Sequence, residues 1–393
     1  MAVSLLTAGT DKHYAFGLAT ALASEGADVE LVGGSQIDCP EFHATPNLKF
    51  LKFRGSLRSD VSFFRKLSRI SKYYSRLMRY SVTARPRIFH ILWNNRFELF
   101  DRTLLMCFYR ALGKKIVLTA HNVNTRGRDA DDSSLNRITL RIQYRLANHI
   151  IVHTEKMKRE IVSVFGVPAD RVTTVPYGIN NAVPNTKLTS AQARQRLGIG
   201  DTERVILFFG RIRPYKGLEY LIDAFGRLSP SRENYRLIIA GNADTTDPYW
   251  ALLFERIRND PQNRGVLLNL DFIPDGDVEI YFKAADVLVL PYRSIYQSGI
   301  LFLALSFGLP VLASDVGSLR DEIDSRQNGY VFKPDDPADM AKTIEEYFKS
   351  DLYGHLDQRR NEIRNDAAMR NSWESAARTT MDVYARLLDS SLN

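Results

Sequence analysis

Short apolar runs alternate with longer amphipathic stretches along the whole chain, and that alternation limits the fold more than any other feature. The first series starts with an apolar run at residues 3–7, a helical pattern over 14–24 and a second run at 29–32. Apolar runs at 88–92, 115–119, 150–153 and 172–175 follow, with helical patterns over 99–111 and 135–146. A second series comprises 205–209, 236–240, 266–270, 287–290, 311–313 and 330–332, again separated by helical stretches. Such alternation predicts parallel sheets covered on both faces by helices. Between the series, residues 176–189 are rich in Pro, Gly and Asn, the composition of a linker. At 393 residues the chain holds two domains of ordinary size. The predicted fold class is α/β, with two doubly wound parallel-sheet domains. Ligands of such sheets sit beyond the carboxyl ends of the strands, and a two-domain version offers the cleft between the halves.

Composition narrows the function classes. A hydrophobic fraction of 45% and a charged fraction of 25% are those of a soluble globular protein. No cationic segment precedes the first apolar residues, so they read as a first strand and not as a signal peptide. No apolar run approaches the roughly 20 residues needed to span a bilayer. The two cysteines, Cys39 and Cys107, stand in no metal-ligand spacing and suit a reducing cytoplasm. A net charge of +8 points to an anionic partner: nucleotide, nucleic acid or membrane surface.

One segment carries chemistry. The apolar run 204–209 stops at Gly210, Arg211 follows, Pro214 turns the chain, Lys216 adds a second cation, and Gly217 opens a helix over 218–228. A strand, a glycine turn with cations and a helix start together make an anion site. Arg grips phosphate oxygens in a fork, and Lys adds a point charge. Gln297, Ser298, Gly299 and Ile300 open another helix, whose free amides would face the same anion. Ser298 is equally a good N-cap, and both readings can hold together. Gly9 and Thr10 follow the first strand as a glycine turn where backbone can approach a phosphate or an acceptor. His121 ends the run 115–119 and so falls at a strand's carboxyl end, where a polar side chain faces the cleft. His153 reads as structural. Asp129 and Asp131 imitate a metal-binding Asp-x-Asp in a charged loop, where Asp132 or Ser133 would cap the next helix.

A basic segment stands apart. Between Arg54 and Arg87 there are ten Arg or Lys and one acid, Asp60. Phe63, Leu67, Ile70, Tyr74 and Leu77 recur at helical spacing, and so do Arg65, Arg69, Lys72, Arg76 and Arg79, offset by two residues. Two residues turn a helix by about 200°, which sets an apolar face opposite a cationic one. Such a helix either lies on an anionic membrane surface or packs its apolar face on the domain sheet. No nucleic-acid motif accompanies the charge, so nucleic acid is not an expected partner.

The Gly210-Arg211 … Lys216-Gly217 element resembles the donor-phosphate site of GT-B glycosyltransferases of family 4. The turn at Gly241, the segment Asp271-Phe272-Ile273-Pro274, the run 281–291, the loop 308–317, Asn328-Gly329 and Ser372-Trp373-Glu374 are similar to later motifs of that family, in order. The resemblance implies an acceptor-binding Rossmann-like domain at 1–180, a donor-binding one at 181–370, and a C-terminal helix at 371–393 crossing back to the first. It implies transfer of a sugar from a nucleotide diphosphate sugar with retention, without a metal or other cofactor. Arg211 and Lys216 would clamp the leaving diphosphate, Gly210, Gly241 and Ile273 would line the nucleotide, and His121 would touch the donor sugar. Relatives carry two glutamates that fall on Ile295 and Leu303 here, which leaves the ribose contacts without a carboxylate. The expected function is extension of a lipid-linked saccharide for exopolysaccharide or O-antigen, in the cytoplasm at the inner membrane face. The alternatives are a GT-B sugar-nucleotide epimerase and a catalytically silent sugar-nucleotide-binding or scaffold protein.

Overall fold

The computed structural model describes residues 1–8, 12–55, 63–95, 97–128, 132–228, 234–259 and 265–389. The chain divides into two compact units, one of Met1–Gly178 with Asn371–Asn393 and one of Ile179–Arg370.

Unit 1 is built on seven strands: β1 (Ala2–Thr7), β2 (Asp28–Gly34), β3 (Leu48–Arg54), β4 (Ile88–Trp93), β5 (Lys115–Thr119), β6 (His149–Val152) and β7 (Val172–Thr174). They pair in parallel in the order β3-β2-β1-β4-β5-β6-β7. The central strands are apolar at nearly every position because helices cover both faces of a parallel sheet. β3 is the strand absent from the sequence reading. Its residues alternate poorly, with Lys49 and Lys52 among apolar neighbours, which suits an edge strand whose lysines discourage further pairing. The helix expected over 99–111 is two helices, Glu98–Arg102 and Leu104–Ala111, broken at Thr103, which has φ −121° and ψ −88°.

Unit 2 carries β8 (Arg204–Phe209), β9 (Tyr235–Ala240), β10 (Val266–Asn269), β11 (Val287–Leu290), β12 (Val311–Ser314) and β13 (Gly329–Phe332), all parallel, in the order β10-β9-β8-β11-β12-β13. Both sheets are wound outward from a switch point, between β1 and β4 in unit 1 and between β8 and β11 in unit 2. Ligands of doubly wound sheets bind at that point, beyond the strands' carboxyl ends.

The last helix, Trp373–Asp389, belongs to unit 1. The Trp373 indole lies flat on Gly17 and Gly178, with no room there for a larger residue. Tyr384 reaches the buried Nδ1 of His90 at 2.6 Å, and Arg378 pairs with Glu25 at 3.0 Å. The short Ser372-Trp373-Glu374 segment thus seats a helix that completes the unit's core.

Candidate active site

In unit 2 the glycine turn that carries Arg211 and Lys216 sits at the switch point. β8 ends on Gly210 (φ +103°) and β9 on Gly241 (φ +135°), and a methyl group on Gly241 would lie 2.5 Å from the Gly210 oxygen. The two turns therefore meet backbone to backbone, joined by Ile212 N–H to the Asn242 carbonyl at 3.0 Å. Gly217 (φ +62°) releases the chain into the helix Leu218–Arg227, and a methyl there would meet the Pro291 oxygen at 2.1 Å. Only glycine fits both the conformation and the approach.

Lys216 is buried beneath this turn. Its ammonium lies 5.9 Å from the ring centre of Phe208 and 5.6 Å from that of Tyr292. A methyl on Gly210 would come within 2.9 Å of the Lys216 Nζ and 3.6 Å of Ile300. The structure thus brings together Gly210, Gly241, Lys216 and Ile300. Arg211 points into solvent.

Ser298 stands at the N-cap of the helix Gly299–Ser306, but its hydroxyl makes no capping bond. It lies instead 3.4 Å from the Tyr292 hydroxyl. The first-turn amides at Gly299 and Ile300 are therefore not satisfied by that side chain, and the plain-cap reading of Ser298 does not hold. Ser318 holds the preceding loop through its N–H and hydroxyl to the Tyr296 carbonyl, at 3.1 and 2.6 Å. Gln297 turns its buried carboxamide toward Glu322, whose carboxyl is pushed up to about 6, chiefly by burial. Ile273 is half-buried in the turn after β10, a strand tied to the Gly241 turn through Gly241 N–H to the Asn269 carbonyl at 2.8 Å. Its neighbour Phe272 is 74% exposed.

In unit 1, His121 stacks on Trp93 with ring centres 4.0 Å apart and abuts the edge of Tyr14 at 4.5 Å. Its Nδ1 lies 2.9 Å from the Nε2 of His153, whose Nδ1 lies 3.0 Å from the Val175 carbonyl. A carbonyl only accepts, so His153 donates from Nδ1 and accepts at Nε2, and His121 donates from Nδ1. That leaves the buried Nε2 of His121 as the unprotonated nitrogen. Burial first, and the neighbouring His153 second, hold His121 well below the usual histidine range. Gly9 and Thr10 lie outside the described residues, as do Asp129 and Asp131. Ser133 caps the helix Ser134–Leu146 by accepting from Asn136 N–H at 3.2 Å. Asp132 instead accepts side-chain hydrogen bonds from Asn124, Asn136 and Arg137. Among the described residues no group of three His, Cys, Asp or Glu is placed to hold a metal.

Two family models match the chain in succession, Glycosyltransferase Family 4 over residues 12–183 and Glycosyl transferases group 1 over residues 189–369. The chain belongs to glycosyltransferase family 4. It is 31% identical to an uncharacterized glycosyltransferase of Methanocaldococcus jannaschii over 240 residues, 60% of this chain and 59% of that one. It is 29% identical to the D-inositol 3-phosphate glycosyltransferase of Acidothermus cellulolyticus over 251 residues, 61% of this chain and 53% of that one. The match thus spans a little over half the length of these curated relatives. Its fold is that of sucrose-phosphate synthase from Thermosynechococcus elongatus (TM-score 0.78, 17% identity, 99% of this chain and 100% of that one). It is also that of Anabaena HepE in complex with UDP-glucose (TM-score 0.74, 15% identity, 98% and 100%). The fold class is GT-B.

Within this family-4 chain, Leu303 is buried in the core side of its helix and Ile295 is half-buried in the loop before it. Neither position offers a carboxylate, and Leu303 has become a packing residue. The basic helix, Phe63–Thr83, packs only part of its apolar face. Tyr73 and Leu77 are buried, and Tyr80 bonds Ser4 at 2.6 Å and Glu30 at 2.5 Å. Leu67 is 53% exposed, so the apolar stripe leaves the core toward the helix N-terminus. Arg69, Lys72 and Arg76 are exposed, while the Arg65 side chain lies outside the described residues. No helix among the described residues is long and apolar enough to cross a membrane.

Proposed function

We propose that this chain is a retaining glycosyltransferase that moves a sugar from a nucleotide diphosphate sugar to a lipid-linked saccharide acceptor. The observation that carries the reading is the buried Lys216 beneath the Gly210 turn, next to the uncapped first turn of the helix at Ile300. A fixed ammonium and free helix amides suit the charge that develops on a departing diphosphate. Arg211, exposed at the same turn, is free to swing onto the phosphate oxygens in a bidentate grip. Unit 2 is then the donor-binding half and unit 1 the acceptor-binding half. His121 would contact the transferred sugar. The exposed cations of the helix Phe63–Thr83, with Leu67, support peripheral attachment to an anionic inner-membrane face, where a lipid-linked acceptor for exopolysaccharide or O-antigen would be met.

The test is incubation of the purified chain with radiolabelled nucleotide sugars, with and without a lipid-linked saccharide. UDP-glucose heads the panel, since HepE is seen with that compound. Acceptor-dependent labelled product with the donor's anomeric configuration, formed equally in excess EDTA, is the expected result. Free sugar without acceptor would favour the epimerase reading, and nucleotide binding with no turnover the silent one. Strict dependence on added Mg²⁺ or Mn²⁺ would overturn the assignment of the diphosphate to the two cations.

A further inference from the structure

The surplus positive charge of the chain lies wholly in unit 1, which has 29 Lys or Arg and 18 Asp or Glu, against 24 and 27 in unit 2. Part of that surplus gathers at the amino ends of β6 and β7, the end of the sheet opposite to His121, which follows the carboxyl end of β5. We propose that Arg110, Arg145, Arg171 and Arg386 form an anion site there for a phosphate group. This site is separate from the donor and acceptor sites and stands or falls without them.

Four elements bring the arginines together. Arg110, at the end of the helix Leu104–Ala111, donates from Nη1 to the Leu146 carbonyl at 3.0 Å. Arg171, just before β7, donates from Nε to the Asn148 carbonyl at 3.3 Å and from Nη2 to the carbonyls of Arg145, at 3.2 Å, and Ala147. Both guanidiniums therefore reach the C-terminal end of the helix Ser134–Leu146, whose last turn carries Arg145. Burial first, and the like charge of Arg110 second, lower Arg171 below the usual arginine range. His149, the first residue of β6, feels the same cluster: after burial, Arg386 of the last helix and Arg171 hold it down to about 4. None of the four arginines makes an ion pair among the described residues. Asp170 acts on Arg171 and His149 without pairing with either.

A helix ending accounts for part of this arrangement only. Cations commonly take the last carbonyls of a helix, but a helix C-terminus carries about half a negative charge. That half charge and Asp170 together leave most of four guanidinium charges uncompensated, and an arriving anion relieves their repulsion. Donors are available as well. A guanidinium has five N–H groups, so Arg110 keeps most of its own and Arg171 keeps those on Nη1. Arg110, Arg145 and Arg386 are exposed and Arg171 is half-buried, so a ligand can reach them. All four are arginine, whose planar fork matches the oxygens of phosphate and carboxylate. A carboxylate brings one charge and two oxygens. A phosphate monoester brings about −1.5 to −2 and three oxygens, and so balances more of the cluster. The phosphate can be free in solution or on a lipid headgroup, with the same chemistry.

The experiment has two arms. The first is calorimetric titration of the full chain with inorganic pyrophosphate and with succinate, in the presence of UDP to occupy the donor site. The second is sedimentation with phosphatidate-containing vesicles, using the chain with Arg69, Lys72 and Arg76 reversed to Glu so that the basic helix does not contribute. Arg145→Ala and Arg386→Ala are the test variants. The Arg386 guanidinium bonds only its own helix, at the Asp382 carbonyl 3.3 Å away, and the Arg145 side chain bonds nothing among the described residues, so both variants should keep the melting temperature. Saturable pyrophosphate binding, tighter than succinate binding and weakened about tenfold by each variant, is the result expected for a free phosphate, on the scale of one hydrogen bond to a charged group. Vesicle binding that the double variant loses, with no pyrophosphate binding, supports the same site with a lipid as the source. Tighter binding of succinate, binding that neither arginine variant weakens, or no binding in either arm overturns the site.

Discussion

Lys216 is a buried cation, its ammonium 5.9 Å from the ring centre of Phe208 and 5.6 Å from that of Tyr292, beside a turn made of backbone. A positive charge held there is stabilised further when a diphosphate arrives, and most when that diphosphate carries its full leaving-group charge. Lys216→Ala should therefore lower turnover by about 10²–10³-fold, the scale for removing one transition-state donor, and Arg211→Ala should do so too if it swings inward. Steady-state rates on the labelled donor measure both, and near-normal turnover in the two variants would remove the clamp. His121 is a different case. Its Nδ1 is committed to His153, so its contribution depends on a ring fixed by stacking on Trp93. His121→Ala should impair transfer more than binding of free nucleoside diphosphate, and equal losses in both assays would make it a positioning residue for the unit. The glycine turn that carries Arg211 and Lys216 was legible in the sequence because each residue's chemistry is local: glycines for the approach, cations for the charge. The burial of Lys216 and exposure of Arg211 were not, since both depend on where Tyr292 and Phe208 lie in the folded unit.

At the level of elements, strands such as β5 and β11 were legible to the residue, because a fully covered parallel strand is apolar along its length. β3 was not, because an edge strand needs neither continuous nor alternating apolarity. The cavity beyond β4 and β5 was equally hidden: Asn94, Arg102, Asn122 and Gln143 come from four separate segments and carry no joint spacing. The helix Phe63–Thr83 shows both the strength and the limit of periodicity. Its two stripes were readable, yet one apolar stripe does two things. Leu77 is 2% exposed and belongs to the core, whereas Leu67 is 53% exposed and does not. Leu77→Ala should destabilise unit 1 by about 2–5 kcal/mol, while Leu67→Glu should leave its melting temperature unchanged, contrary to a fully packed stripe. The membrane proposal concerns the exposed part. Each cation near an anionic surface is worth about 1 kcal/mol and fades within a Debye length. Reversing Arg69, Lys72 and Arg76 to Glu should abolish co-sedimentation with phosphatidylserine-containing vesicles at low salt without changing the fold by circular dichroism. Unchanged sedimentation would end the membrane role of this helix.

The whole molecule distributes its histidines unevenly. Six of the seven, all but His355, fall within unit 1. Burial pushes His90 down to about 3, and it pushes His149 and His153 down to about 4, with the charges of Arg386 and Arg171 adding to the effect at His149. His121 is lowered in the same direction. In the unfolded chain each would titrate near 6.5. Below that value the unfolded form of unit 1 binds protons that the folded form refuses, so acid favours unfolding. The stabilisation is complete above about pH 6.5 and is lost progressively as pH falls toward 4. A depression of about 2.5 units corresponds to roughly 3 kcal/mol for each such group, against a total stability of about 5–15 kcal/mol for a domain. Unit 2 has no comparable histidine among its described residues. Its Glu322, raised to about 6 by burial, acts in the opposite direction, because a carboxyl kept protonated by the fold is relieved as pH falls. The two units should therefore separate thermally in mild acid. Calorimetry at pH 7.5, 6.0, 5.0 and 4.5 should show one transition moving down far faster than the other. Fluorescence assigns it: Trp93 and Trp373 report on unit 1, Trp250 on unit 2, and Trp250→Phe isolates the first pair. If the transition reported by Trp250 falls first, or both fall together, the buried imidazoles do not control the acid limit of this fold.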